Sequence, residues 1–335
     1  MIFGRGRFLA TIGAFETAVR AQDTDAAERA FERLTRGFGK ARDADRQAAG
    51  PRLAALLEQV PPGPRAVVAV LIGACVERGA DPSACAPAVF AGAQDAFEQA
   101  AVFCERWAEP GRGDLPDHEG LEDADFERIG FEPAMAWQSL PQFEMACVAM
   151  LNSPRVRREA PGRAELTTAV ARVAELSGEQ FKCLAYALAV LDDEPLVVLD
   201  RATGAGFALR ASGIGDNFQL HTLLADALIG RGLVKGQAPS AEAVACCRDQ
   251  AGMVPTTGSF NLVGADGEWI WNEDNPADIP VVNGVRLVVL DPPAYERTWP
   301  AGRFFPGMTG DVVYEHALKP DESAALLAQV AAPIR

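Results

Sequence analysis

The sequence predicts an α+β fold: an N-terminal all-helical bundle over residues 1–194, then a C-terminal domain over residues 195–335 with a mainly antiparallel sheet and a few helices. Three observations carry this expectation. At 335 residues the chain exceeds the usual size of one domain. From Phe8 to the segment ending at Asp193, apolar residues recur at helical spacing. From Glu194–Pro195 onward they fall into short strand-like runs separated by Gly-containing turns, which marks the boundary.

Phe8, Ile12, Phe15 and Val19 line one face of a first helix, and Ala27, Ala30, Phe31 and Leu34 that of a second. Asp25 followed by Glu28 reads as the N-terminal capping pair between them. Pro51 is placed at the first turn of the next helix. "PRAVVAVLIGACVERG" closes on Gly79, and Asp81 with Pro82 opens a long helix ending near Trp107. Segment 105–127 holds nine acidic and two basic residues without the spacing of a calcium loop, so it reads as a solvated connector with an exposed His118. Helices resume with "PAMAWQSLPQFEMACVAML", pass the basic turn "RVRRE", and end at "SGEQFKCLAYALAVLDD", where Ser177 and Gln180 suggest a capping box.

In the C-terminal part, "PLVVLD" and "FALRAS" flank a turn, as do "SFNLVG" and "EWIWNE" around Asp266–Gly267. "VRLVVLD" and "VVYEHAL" are further strands, with helices expected at 217–229, 240–249 and 321–332.

A net charge of −15 argues against nucleic acid as partner, because even residues 1–60, the most basic segment, carry 10 basic against 8 acidic side chains. The start "MIFGRGRFLATIGAFETAVR" mimics a signal peptide, but its apolar run is short and Glu16 ends it, so it reads as a helix of a cytoplasmic protein. No apolar run approaches the roughly 20 residues that span a bilayer, and no membrane partner is expected. Seven cysteines, none spaced C-x-x-C, read as small buried hydrophobes with free thiols; the vicinal Cys246 and Cys247 are the one oddity.

Candidate chemistry centres on "SGIGDNFQLHTLLADAL". Asp216 sits at a helix cap, and Gly213 and Gly215 lack the third glycine of a dinucleotide loop. His221 lies at the edge of the apolar face with Asn217 one turn earlier, whereas Asp226 is too far round the helix to pair with it. The bland reading is a half-buried histidine with a local hydrogen bond. No serine-hydrolase, zinc-protease, P-loop or deaminase motif occurs, and no metal or cofactor is expected.

Eight aromatics gather late: Phe260, Trp269, Trp271, Tyr295, Trp299, Phe304, Phe305 and Tyr314. Strand alternation would put Trp269 and Trp271 on one face. In the loop 291–308, prolines 292, 293, 300 and 306 give stiffness, while Arg297 and Arg303 alternate with Tyr295, Trp299 and Phe304. Such a loop is either a structural cover over the sheet or a binding surface. The sequence therefore favours an intracellular binding or adaptor protein that contacts a protein or peptide through Tyr295, Arg297, Trp299, Arg303 and Phe304. The alternative is an enzyme acting on a small molecule with His221, Asn217 and Asp291 in acid–base or binding roles.

Overall fold

A computed structural model describes residues 7–108 and 113–333. Contacts divide the chain into two units, Met1–Leu188 and Ala189–Arg335, so the composition shift at Glu194–Pro195 lies just inside the second. Arg5, part of the signal-like start, and residues 109–112 of the acidic connector lie outside the described residues.

Among the described residues the first unit is helical: α1 (Arg7–Arg20), α2 (Thr24–Phe38), α3 (Asp43–Ala54), α4 (Pro62–Glu77), α5 (Pro82–Trp107), α6 (Asp123–Ile129), α7 (Phe131–Leu151), α8 (Pro154–Glu159), α9 (Arg163–Ser177) and α10 (Lys182–Ala189). The apolar stripe of α1 is buried at Phe8, Ile12, Phe15 and Val19, and that of α2 at Ala30 and Leu34. The α2 cap is Asp23, whose carboxylate accepts the Ala26 amide at 3.0 Å, rather than the expected Asp25. Asp23 has the extended backbone that a cap needs, whereas Asp25 is already inside the first turn.

Pro51 does not open a helix; it lies within the last turns of α3, where a missing N–H costs one ladder bond while Ala49, Leu53 and Ala54 stay buried. Helix α4 ends as expected at Gly79, whose φ of +92° suits glycine. Helix α7 packs on α4 and α5, around the buried rings of Phe90, Phe97, Phe103 and Phe143. The basic "RVRRE" is the short helix α8, with Arg157 buried and donating to the Leu151 carbonyl at 2.7 Å. Ser177 forms no capping box; it is the last residue of α9, its hydroxyl accepting the Glu179 amide before Gly178 turns left-handed. His118 is not exposed. Its ring lies tilted against Trp137 at 4.4 Å and bonds to the Trp137 carbonyl and the Glu179 carboxylate, anchoring the connector to α7.

The second unit contains β1 (Glu194–Asp200), β2 (Gly206–Ser212), α11 (Asn217–Leu228), α12 (Ala241–Arg248), β3 (Val254–Thr257), β4 (Asn261–Gly264), β5 (Val281–Val282), β6 (Val285–Asp291), β7 (Thr298–Ala301), β8 (Asp311–Ala317) and α13 (Pro320–Leu327). The main sheet runs β4-β6-β1-β2-β8, with β5 on β6. Only β1 and β6 pair parallel; the rest of this sheet is antiparallel, as expected.

Alternation assigns the two faces. Leu196, Val198, Val288 and Leu290 join the core with α11 and α12, whereas Val197, Leu199, Leu287 and Val289 meet Leu326 and Leu327 of α13. The architecture is thus α+β, helices first and sheet after.

Two local expectations are corrected. Residues 298–301 are not loop but strand β7, paired with β3 in a separate ribbon that packs on α11 and α12. Trp269–Trp271 is not a strand. It makes one bridge, Val263 to Trp269, and then turns away as the Asp274 amide bonds to the Trp271 carbonyl.

Candidate functional site

Helix α11 starts where the sequence places it. Gly213 turns at φ +66°, and a Cβ there would lie 1.9 Å from the Thr309 carbonyl oxygen, so only glycine fits. Asp216 caps the helix, one carboxylate oxygen accepting the Gln219 amide at 2.8 Å and the other the Phe304 amide at 3.3 Å. Burial pushes the Asp216 carboxyl up from its ordinary value, and the backbone N–H groups pull it back.

Both candidate polar residues of α11 are completely buried. Asn217 Nδ2 donates to the Trp271 carbonyl at 2.8 Å, which leaves Oδ1 facing no donor. One turn on, His221 Nδ1 lies 3.2 Å from Asn272 Oδ1, while Nε2 has no partner. His221 is therefore not at the edge of the apolar face. Its ring lies parallel to Phe260 at 4.8 Å and against Trp299 at 4.7 Å. The β3–β7 ribbon brings Trp299, and Gly258 passes so close that a Cβ would come within 3.0 Å of the indole.

Burial pulls the imidazole down to about 4, with the nearby Arg297 charge adding to the effect against the Asn272 hydrogen bond. A neutral, enclosed imidazole with no hydroxyl, thiol or carboxylate bonded to it lacks the reach of a general base. Asp291 does not join it; its partner is Arg201, 2.6 Å away. Cys247 packs nearby, donating weakly to the Gly302 carbonyl, and burial pushes its thiol up to about 12.

The five residues expected to form a binding surface separate into two kinds. Trp299 is 6% exposed, its Nε1 donating to the Thr222 hydroxyl at 3.2 Å. Arg303 is 7% exposed, and its guanidinium donates to the carbonyls of Cys246, Asp249, Gln250 and Pro306. The expectation that these two are exposed contacts is corrected, because strand pairing and helix-end carbonyls draw them inward. Arg297 is half-buried, its Nη2 enclosed without a partner. Tyr295 and Phe304 are exposed.

Tyr295 belongs to a surface cluster that the loop-centred reading did not assemble. Its ring is 6.3 Å from Trp269, which is 5.2 Å from Trp271. Beside Trp269 opens a cavity of about 190 Å³ whose wall includes Asn217, Asp266, Glu268, Asp274, Asn275 and Asp278. The signal in the sequence was the acidic run "NEDNPAD" directly after the two tryptophans. Among the described residues no helix is long and apolar enough to cross a membrane. No family model, no curated protein and no solved structure matches the chain.

Proposed function

We propose that the second unit is a peptide-binding module whose contact surface is the aromatic cluster of Trp271 and Tyr295 backed by Trp269. The observation that carries this reading is that Trp271 and Tyr295 are 44% and 54% exposed while both rings touch the same third ring. Single exposed apolar residues are ordinary, but a contiguous aromatic group, two tryptophans on the turn after β4 and Tyr295 on the loop between β6 and β7, gives large contact area. The turn that carries Trp271 is tied down at its carbonyl, which accepts from both Asn217 and Asp274. Phe304, packed edge-on against buried Phe305, is a further exposed contact.

Arg303 does not support binding, since its Nη1 and Nη2 donate to backbone carbonyls. The enzyme reading loses support for a related reason: His221, Asn217 and Asp291 neither converge nor reach solvent at the imidazole.

The test is selection of a displayed random peptide library on the full chain, followed by affinity measurement on Trp271→Ala and Tyr295→Ala. Each substitution is expected to weaken selected peptides by about 1–2 kcal/mol, roughly five- to thirty-fold, with an unchanged circular dichroism melt. Peptides that bind both variants as well as the parent chain count against the reading.

A further inference from the structure

The polar wall of the cavity beside Trp269 is made mainly of acceptors. Asn217, part of its wall, is fully buried, and because Nδ2 donates to the Trp271 carbonyl, the amide oxygen is left as an acceptor without a donor. A buried acceptor with no partner is destabilising, and a donor seated against it removes that cost. Asn275 uses its own oxygen to accept the Ala277 amide. At the mouth stand Asp266, Glu268, Asp274 and Asp278, all exposed, and among the described residues none of them has a cationic side chain within ion-pair distance. Elsewhere in the same unit some acidic residues are paired, as where Arg248 bridges Asp226 and Asp311.

We propose that this cavity takes the cationic end of a lysine or arginine side chain of the bound peptide, with Asn217 Oδ1 as its buried acceptor and the Trp269–Trp271–Tyr295 cluster against the rest of the peptide. The inference rests on the peptide-binding reading and names the side chain that reading must select. Charge complementarity chooses the occupant: four carboxylates and Asn217 share the wall with the apolar Ile270, Ile279 and Pro280, which suits a cationic head on an aliphatic stem, and the half-buried Trp269 indole favours a cation over its face. The volume of about 190 Å³ is over ten times the roughly 15 Å³ that seats one water, enough for an ammonium or guanidinium head with its last methylenes. A bare divalent ion fits less well, because among the described residues no three histidine, cysteine or carboxylate side chains converge at metal-binding distance.

The experiment titrates the isotope-labelled full chain with four capped amino acids, the N-acetyl methylamides of lysine, arginine, norleucine and glutamate. The lysine and arginine probes are expected to shift the Asn217 side-chain amide and Trp269 indole resonances and to saturate in the range of about 0.1–10 mM. Norleucine and glutamate are expected to leave both resonances in place. Raising NaCl from about 20 to about 300 mM should weaken the cationic probes several-fold. The surface double variant Asp274→Asn with Asp278→Asn should weaken them at least about five-fold without altering the fold. Equal binding of norleucine, or cation binding indifferent to the double variant, overturns the proposal. Two outcomes separate it from the underlying reading. If selected peptides need Trp271 and Tyr295 but tolerate a neutral residue and the double variant, the aromatic surface stands and the cavity proposal falls. If the cationic probes bind as expected but no peptide depends on Trp271 or Tyr295, the occupant is a free small cation and the peptide assignment falls.

Discussion

The Trp299 indole N–H donates to the Thr222 hydroxyl at 3.2 Å, and this bond ties the β3–β7 ribbon to the middle of α11. Thr222 in turn donates to the Phe218 carbonyl one turn earlier, so the hydroxyl is both acceptor and donor within a closed set. Trp299→Ala would remove a ring that touches His221 and Phe218 and would take away the donor that the Thr222 hydroxyl accepts. The expected loss is about 3–5 kcal/mol of stability, measured by urea denaturation. Trp299→Phe should recover most of the packing but not the hydrogen bond, leaving a deficit of about 1–2 kcal/mol. A Trp299→Ala protein with unchanged stability but weakened peptide binding would restore the residue to the binding surface.

His221 should give the fold a measurable acid sensitivity. In the unfolded chain the imidazole takes its proton near 6.5, whereas in the folded chain burial holds it down to about 4. Between these values the unfolded state binds more protons, so stability is fully present above pH 6.5 and is lost as pH falls toward 4, by about 3 kcal/mol in total. His221→Phe keeps the stack on Phe260 and cannot protonate. It leaves Asn272 Oδ1 without its partner but also removes the orphaned Nε2, so the change at pH 7 should be small. The stability difference between the two proteins should therefore shift in favour of His221→Phe as the pH is lowered through this window. Parallel pH profiles would mean the imidazole is solvated.

The division into helices and sheet was legible because hydrophobic period changes at Glu194–Pro195, and the Asp216 cap because its chemistry is local. The β3–β7 ribbon was not legible. Each of its strands is short and carries a proline, and the two prolines, Pro255 and Pro300, sit opposite each other in the register. A two-stranded ribbon tolerates missing N–H groups that a central strand would not, yet proline content alone reads as loop. His221 shows the same effect: helical periodicity puts it at the edge of the apolar face, whereas Trp299 of the ribbon, together with Phe260 and Asn272, covers it from distant stretches of chain. The acidic cavity draws on α11, the turn after β4 and the segment before β5, a convergence that no spacing within one segment announces.

Arg303 should act as a clasp for the end of α12. Three of its four acceptors, the carbonyls of Cys246, Asp249 and Gln250, lie at that helix C-terminus, where a cation also meets the negative end of the helix dipole. Arg303→Ala removes four hydrogen bonds to backbone carbonyls, of which that of Cys246 lies on a buried residue, and is expected to cost about 1–3 kcal/mol. Arg303→Lys keeps the charge but cannot serve four oxygens from one planar fork, so it should recover part of the loss and not all. Denaturant midpoints of the three proteins rank these outcomes; equal midpoints for Lys and Ala would assign the whole effect to geometry rather than charge.

The seven cysteines should separate into one reactive thiol and six protected ones. All are free; Cys183 is exposed, while Cys75, Cys85, Cys104, Cys147, Cys246 and Cys247 are buried. Burial raises the thiol of Cys75, Cys85, Cys104 and Cys247 to about 12, and that of Cys147 further still, so the nucleophilic thiolate is scarce at neutral pH as well as inaccessible. Cys183 is also raised by partial desolvation and by the neighbouring Glu144 carboxylate, with Lys182 opposing, so its reaction should be slower than that of a free thiol. A disulfide reagent such as Ellman's should therefore release one equivalent from the native protein and the remaining six only at the rate of local or global opening. Cys183→Ser should abolish the early phase. An early phase that persists in that variant would place a second thiol, with the vicinal Cys246 and Cys247 the first to examine, within reach of solvent.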